Sequence, residues 1–199
     1  MKAATNLQNT LARGHFAVTC ECTPPRGIEL DSVTRNATQL KGKVDAVHVS
    51  DNSTASVRMS SLALSKILLD MEIEPVLQMV TRDRNRIALQ SDLLGASALG
   101  IKNVLCLDGD HPAKGDHPEA KRVHDIDAIQ WIAAVKQIRD QKSLMNGKQI
   151  SGDPGFFIGT VANPFVKSLE LHVIRLQKKI AMGAEFIQTQ TVFDMELFN

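Results

Sequence analysis

Short runs of apolar residues, bounded by Gly, Pro, Asp or Asn, recur along this chain and alternate with longer stretches whose apolar positions fall at helical spacing. The runs at 16–22, 44–50, 75–80, 104–107, 156–161 and 185–190 read as strands. The stretches at 5–13, 31–40, 56–71, 83–99, 125–140 and 168–182 read as helices. In the fourth helix Ile87, Leu89, Leu93, Leu94 and Leu99 form the packing set, and Gly100 stops it. Ile126, Ile129, Ile132, Ala133 and Val135 do the same in the fifth, as do Leu169, Val173, Leu176 and Ile180 in the sixth, before Gly183. The run from Val104 to Leu107 is apolar on both faces, which predicts a parallel strand covered on two sides. Strands alternating with helices at a spacing of roughly 30 residues specify βα units with right-handed crossovers.

The polar residues sharpen this picture. Glu21, Ser50, Asp51, Gln78, Asp108, Asp110, Asn163 and Gln190 all fall at or near the C-terminal ends of predicted strands. A doubly wound sheet gathers its functional groups at one switch point, whereas a barrel draws them from every strand end. Every predicted strand contributes here. No Gly-x-Gly-x-x-Gly and no Gly-x-x-x-x-Gly-Lys-[Ser/Thr] occurs, which argues against the common nucleotide-binding sheets. The predicted fold class is therefore α/β, a (β/α)8 TIM barrel truncated after the sixth strand. A complete barrel takes about 250 residues, so residues 1–199 are expected to form a single barrel domain lacking the last two βα units. Residues 111–123, rich in Pro, Gly, Lys and Asp, make a loop long enough to be a functional lid.

Composition excludes several classes of function. With 43% hydrophobic and 23% charged residues the chain can bury a real core. A net charge of +1, from 23 basic and 22 acidic residues, gives no general pull toward nucleic acid or an anionic membrane. The polar start of the chain and the lack of a long apolar run make the cytoplasm the expected location. Cys20, Cys22 and Cys106 form no disulfide framework; buried structural thiols are favoured over a zinc site, and no metal is expected. Strand periodicity puts Glu21 on a face with Ala17 and Thr19, opposite Val18, Cys20 and Cys22. A carboxylate on such a face is costly unless it is used or paired. Taken alone, Glu21 reads equally as a catalytic group or as the ion-pair partner of an arginine.

Five motifs, in order and at matching separations, resemble the methylenetetrahydrofolate reductase family. They are Glu21-Cys22-Thr23-Pro24-Pro25-Arg26-Gly27; the strand Glu74-Pro75-Val76-Leu77-Gln78-Met79 leading into Arg82-Asp83-Arg84-Asn85-Arg86; the block at 99–112; Ala162-Asn163-Pro164-Phe165; and the run at 183–194. Together they extend from about residue 16 to the end of the chain.

The resemblance implies a flavin-dependent barrel of one-carbon and methionine metabolism. Such enzymes reduce 5,10-methylenetetrahydrofolate to 5-methyltetrahydrofolate by hydride transfer from reduced FAD, loaded by NAD(P)H or another donor. It also implies roles. Glu21 would be a general acid whose pKa is raised by a mostly apolar wall. Asp110 would stand between flavin and folate, and Gln190 would hold the pterin edge. Ser50, Gln78, Asp108, Gly109, Asp110, Asn163, Arg175, Lys178 and Lys179 would contact the cofactor, and Asp125 and Asp127 are candidates for its adenosine end. Two features depart from the family's pattern: Gln78 stands where many members have histidine, and Asp108 replaces a residue that is basic in well-known members. Taken alone, Lys178 and Lys179 read as a solvated helix face. A non-catalytic or partner-dependent truncated barrel that binds flavin or folate is the alternative. A barrel short of two units exposes strand edges and apolar interior, so completion by a partner subunit or a homo-oligomer is expected.

Overall fold

A computed structural model describes residues 5–198. Its strands are β1 (Thr19–Cys22), β2 (Ala46–Val49), β3 (Pro75–Val80), β4 (Asn103–Leu107), β5 (Phe157–Ala162) and β6 (Phe186–Thr189). All neighbours are parallel, and the sheet order is the chain order. The helices are α1 (Asn6–Ala12), α2 (Asp31–Leu40), α3 (Ser61–Asp70), α4 (Arg86–Ala98), α5 (Ala128–Gln141), α6 (Leu169–Met182) and α7 (Met195–Phe198). No helix among them is long and apolar enough to cross a membrane.

Strand order follows from burial on two faces. On the outer face Leu77, Met79, Val104, Cys106 and Ile158 pack against Leu89 and Leu93 of α4 and Trp131, Ile132, Val135 and Ile138 of α5. Val47 and Val49, with the partly buried Cys20 and Cys22, pack against Val33 and Ala37 of α2 and Leu64 and Leu68 of α3. On the inner face Ala46, Val76, Leu105 and Phe157 form a smaller cluster with Leu7. The Phe186 ring stacks on Phe157 with centroids 4.7 Å apart, in space left free by Gly159, where a Cβ would lie 2.2 Å from that ring. β2, β3 and β4 are buried on both faces, as the apolar runs predict, while the edge strands β1 and β6 alternate between part-buried and exposed positions.

The sheet is curled. Laid flat, six strands would hold β1 and β6 about 24 Å apart, yet one cleft is bounded by Glu21 of β1 and by Gln188 and Thr189 of β6. Its opposite, N-terminal end is closed by α1. There the Glu74 carboxylate accepts the backbone N–H groups of Asn6 at 2.6 Å and Leu7 at 2.9 Å, and the Asn103 amide at 2.9 Å. The C-terminal rim is left open for ligand. The sheet is a six-stranded part of a barrel; eight-fold closure is not present among the described residues.

Among the element boundaries that differ from expectation, three have a clear local reason. β1 begins at Thr19, because the chain before it lies at an open edge: Phe16 is 91% exposed. α3 begins at Ser61, because Thr54 and Ala55 take left-handed backbone conformations in a short 3₁₀ turn and Ser60 then caps the helix through the Ala63 N–H. α4 begins at Arg86, because Asn85 accepts the N–H groups of Ile87 and Ala88.

Candidate active site

The rim cleft has two adjoining lobes. The first, of about 420 Å³, is lined by Glu21, Ser50, Asp51, Asn52, Gln78, Arg82, Asp108, Gly109, Asp110, Gln188 and Gln190, among others. The second, of about 480 Å³, runs between the end of β5 and α6 and is lined by Asn163, Lys167, Ser168, His172, Arg175 and Lys179. Asp108, Val161 and Gln190 border both lobes. Six strand ends thus converge on two adjoining cavities at one rim, which the sequence pattern anticipates.

Nearly all of the sequence-predicted site residues line these cavities. Glu21, Asp110 and Gln190 share the first lobe with Ser50, Gln78, Asp108 and Gly109; Asn163, Arg175 and Lys179 line the second. Lys178 lies exposed on α6 and lines neither lobe, because one helical step turns it away from Lys179. Asp125 pairs with Arg86, its Oδ2 2.7 Å from Nε, and Asp127 caps α5 reciprocally with Gln130. Both carboxylates are occupied in structural roles.

Glu21 differs from expectation in its surroundings. β1 has no neighbour on its outer side among the described residues, so Glu21 is exposed and lacks the apolar wall predicted for it. The side chain is open to solvent in place of that wall.

The charges are arranged asymmetrically. The Lys179 ammonium is buried, donates to the Val161 carbonyl at 2.8 Å, and is pulled below the usual lysine value by burial, against the opposing field of Asp108. Asp108 Oδ1 accepts the first N–H of α5, from Ala128, at 2.7 Å, and its Oδ2 stands 3.9 Å from Arg175. Asp110 meets Lys114 at 3.1 Å. Asn163 turns its side chain back on its own loop, accepting the Phe165 N–H at 2.9 Å, while His172 Nε2 accepts the Asn163 N–H at 2.9 Å. Ser50 Oγ and Gln188 Oε1 are buried with no hydrogen-bond partner among the described residues. Two such orphans in one cleft mark places where a ligand would supply the missing partner.

Sequence reasoning left two site residues, and an arginine that supports the site, without roles. Gln188 lies two positions before Gln190 on the same strand face, a signal that period-two counting could have used. Arg82 and Arg84 stand in the Arg82-Asp83-Arg84 triplet after β3, which belongs to one of the family-like motifs and, from Asp83, to a predicted helix, with no role read for either arginine. In the fold Arg82 is 3% exposed, and Arg84 forms a paired contact with buried Asp51 at 2.7 and 3.0 Å. Among the described residues no group of three His, Cys, Asp or Glu side chains is placed to hold a metal ion.

A curled parallel βα sheet with its polar residues drawn to the C-terminal rim defines a protein of the TIM-barrel type. Within that class, the methylenetetrahydrofolate reductase family model matches residues 6–199, and the chain belongs to that family. A curated relative, a probable methylenetetrahydrofolate reductase (NADPH) of Caenorhabditis elegans, is 26% identical over 151 residues, covering 75% of this chain and 21% of the relative. Among solved structures, an uncharacterized protein from Clostridium thermocellum that binds two copies of 5-methyl-5,6,7,8-tetrahydrofolic acid aligns with a TM-score of 0.62 at 14% identity, over 96% of this chain and 60% of that one. A 2,3-dimethylmalate lyase of the PEP mutase/isocitrate lyase superfamily aligns with a TM-score of 0.60 at 14% identity, over 99% of this chain and 64% of that one. Likeness at that identity establishes the fold alone. The chain spans about a fifth of the curated relative's length.

Proposed function

We propose that the chain binds FAD and 5,10-methylenetetrahydrofolate along the rim cleft and reduces the folate to 5-methyltetrahydrofolate, with electrons from NAD(P)H or another donor. The observation that carries this reading is the convergence of Glu21, Asp110 and Gln190, from three different strand ends, on a single lobe in a member of this family.

The residues present fit a flavin. The lobes are of the size of cofactor and ligand sites. Ser50 Oγ and Gln188 Oε1 offer unpartnered polar atoms, Gly109 allows close approach of backbone to a ring, and Arg175 and Lys179 offer cations for phosphates. Reduced FAD, when bound, supplies a hydride. Before that transfer Glu21 would give its carboxyl proton to the nitrogen that leaves the methylene bridge; the C–N bond breaks with its electron pair on that nitrogen, and the one-carbon unit becomes the hydride acceptor. Ligand seated against β1 would exclude water from around Glu21. The Asp110 carboxylate favours the cation that forms on the folate. Gln190 orients the pterin, since its amide both donates and accepts.

A second reading is favoured by the exposed apolar residues at both sheet edges. Phe16 and Val18 flank β1, Ile187 and Phe193 lie in and after β6, and Leu169, Val173 and Ile180 of α6 are exposed. A surface of this kind suits a barrel that binds flavin or folate but turns over only with a partner subunit or as an oligomer.

The visible absorption spectrum of the purified protein, with the released cofactor identified by chromatography, separates the two. Bound FAD is the expected result and would justify assays of each half-reaction. A colourless protein that takes up no added FAD would sink the enzyme reading for the chain alone and favour the partner-dependent one.

A further inference from the structure

Arg82 closes β3 with every guanidinium nitrogen engaged. Nη1 donates to the Asp110 carbonyl at 3.1 Å; Nη2 donates to the Asn52 carbonyl at 3.2 Å and to Asp83 at 2.6 Å; Nε donates to Asp83 at 2.7 Å. Its backbone N–H donates to the Asp108 carbonyl at 3.1 Å, and its own carbonyl accepts the Val123 N–H at 2.8 Å. One residue therefore grips the start and the end of the long loop between β4 and α5, and through Asn52 the loop after β2. Gly109 makes the grip possible: its φ is +89°, and a Cβ there would lie 3.2 Å from the Arg82 Cβ and 3.1 Å from that of Val80.

The loop after β2 needs such support. Asn52, Thr54 and Ala55 all take positive φ without being glycine, a strained run that persists only where its surroundings hold it. At its far end the tie is different. Both oxygens of Asp116 accept the Val57 N–H at 3.1 Å, and Gly115 lies so close to Ala55 that a Cβ would meet its carbonyl oxygen.

We infer that Arg82 is a positioning residue for Asp110: by holding the Asp110 and Asn52 carbonyls on one planar fork, it makes the two loops a single wall and fixes where that carboxylate stands in the cleft. The importance of that placement rests on the functional reading above. The fork itself is a property of the fold. Lysine offers a point charge in place of the fork and cannot hold Asn52, Asp83 and Asp110 together.

Hydrogen exchange of Arg82→Lys and Asp116→Ala, without cofactor, tests the fork. In Arg82→Lys the amides of residues 82, 123 and 58, bonded to the Asp108 carbonyl, the residue-82 carbonyl and the Asn52 side chain, are expected to lose protection together, while Trp131, the sole tryptophan and fully buried in α5, keeps its emission. Asp116 is exposed and holds the Val57 N–H, so Asp116→Ala frees the amide of residue 57 and leaves those of 82 and 123 protected. Unchanged protection in Arg82→Lys would overturn the inference. Loss at 82 and 123 in Asp116→Ala, or a change in Trp131 emission in Arg82→Lys, would do so too. In protein saturated with FAD, Arg82→Lys is expected to slow flavin reoxidation by methylenetetrahydrofolate roughly 10- to 100-fold while reduction of the bound flavin by an artificial donor proceeds nearly as before. An unaltered reoxidation rate, or equal slowing of both half-reactions, would overturn the positioning role. Wild-type protein that takes up no FAD would overturn the functional reading, and the exchange results alone would then decide the fork.

Discussion

Glu21 and His48 are partners in the register between β1 and β2, so a cleft-lining carboxylate stands on the strand position beside an imidazole that is 4% exposed. Burial holds the His48 pKa down at about 4, from an ordinary 6.5, and its Nδ1 has no hydrogen-bond partner among the described residues. Between those values the unfolded chain binds a proton that the folded chain refuses. His48 therefore makes stability greatest above pH 6.5 and lets it fall as pH drops toward about 4, by on the order of 3 kcal/mol. His48→Asn should flatten that limb. Urea midpoints measured across the same pH range check it, and parallel curves for the two proteins would show that another group is responsible.

A second stability prediction concerns Asp51 and Arg84. Asp51 is 4% exposed; it accepts Arg84 through both oxygens and the Val80 N–H at 2.9 Å, which ties the end of β2 to that of β3 directly after the orphaned Ser50 hydroxyl. Asp51→Ala leaves the Val80 N–H without its acceptor and Arg84 with Asp92, 3.0 Å from its Nε, as its remaining ion-pair partner, at a cost of about 1–3 kcal/mol. Adding Arg84→Met removes the half-paired charge, so the double variant should lose less than the sum of the single ones, by about 1–3 kcal/mol. Urea unfolding followed by Trp131 emission gives all three values, and additive losses would mean that the pair contributes no coupling.

The sheet was readable because its central strands are apolar on both faces: residues 75–80 are β3 as predicted, and Val104 to Leu107 lie within β4. Boundaries went astray where apolar residues do not report burial. Phe16 has strand character but lies past the pairing, and Leu169, Val173 and Ile180 have the expected helical period yet are 55%, 44% and 50% exposed, with no covering surface among the described residues. The convergence of Glu21, Asp110 and Gln190 could be read from strand ends, since a parallel sheet puts all of those ends on one rim. Exposure could not. Whether Glu21 is wet depends on what lies beyond β1, and whether Arg82 is a surface loop residue or a buried tie depends on two loops distant in sequence.

The two lysines of α6 provide a contrast that sequence alone blurs. Lys179 is 8% exposed and borders the second lobe; its neighbour Lys178 is exposed and borders none. Lys179→Met keeps the buried stem and removes the charge, and should weaken FAD binding by roughly tenfold, about 1.4 kcal/mol. Lys178→Met should leave it alone. Titration of the apoprotein with FAD measures both, and equal losses would place the phosphates on the outer face of α6 instead.

Glu21→Gln separates catalysis from architecture. The side chain is exposed on an edge strand and has no hydrogen bond or salt bridge among those observed, so an isosteric amide should leave the fold and the flavin lobe as they are. Reduction of bound flavin by an artificial donor takes no proton from this residue and should proceed nearly as in the parent protein. Transfer to methylenetetrahydrofolate needs the acid, and its loss should slow that half-reaction by about 10²- to 10⁴-fold. Stopped-flow traces of the two half-reactions, each followed at the flavin absorbance, provide the comparison. Equal slowing of both would assign Glu21 to holding the cleft together, while no slowing of the second would move the acid to another residue of the rim.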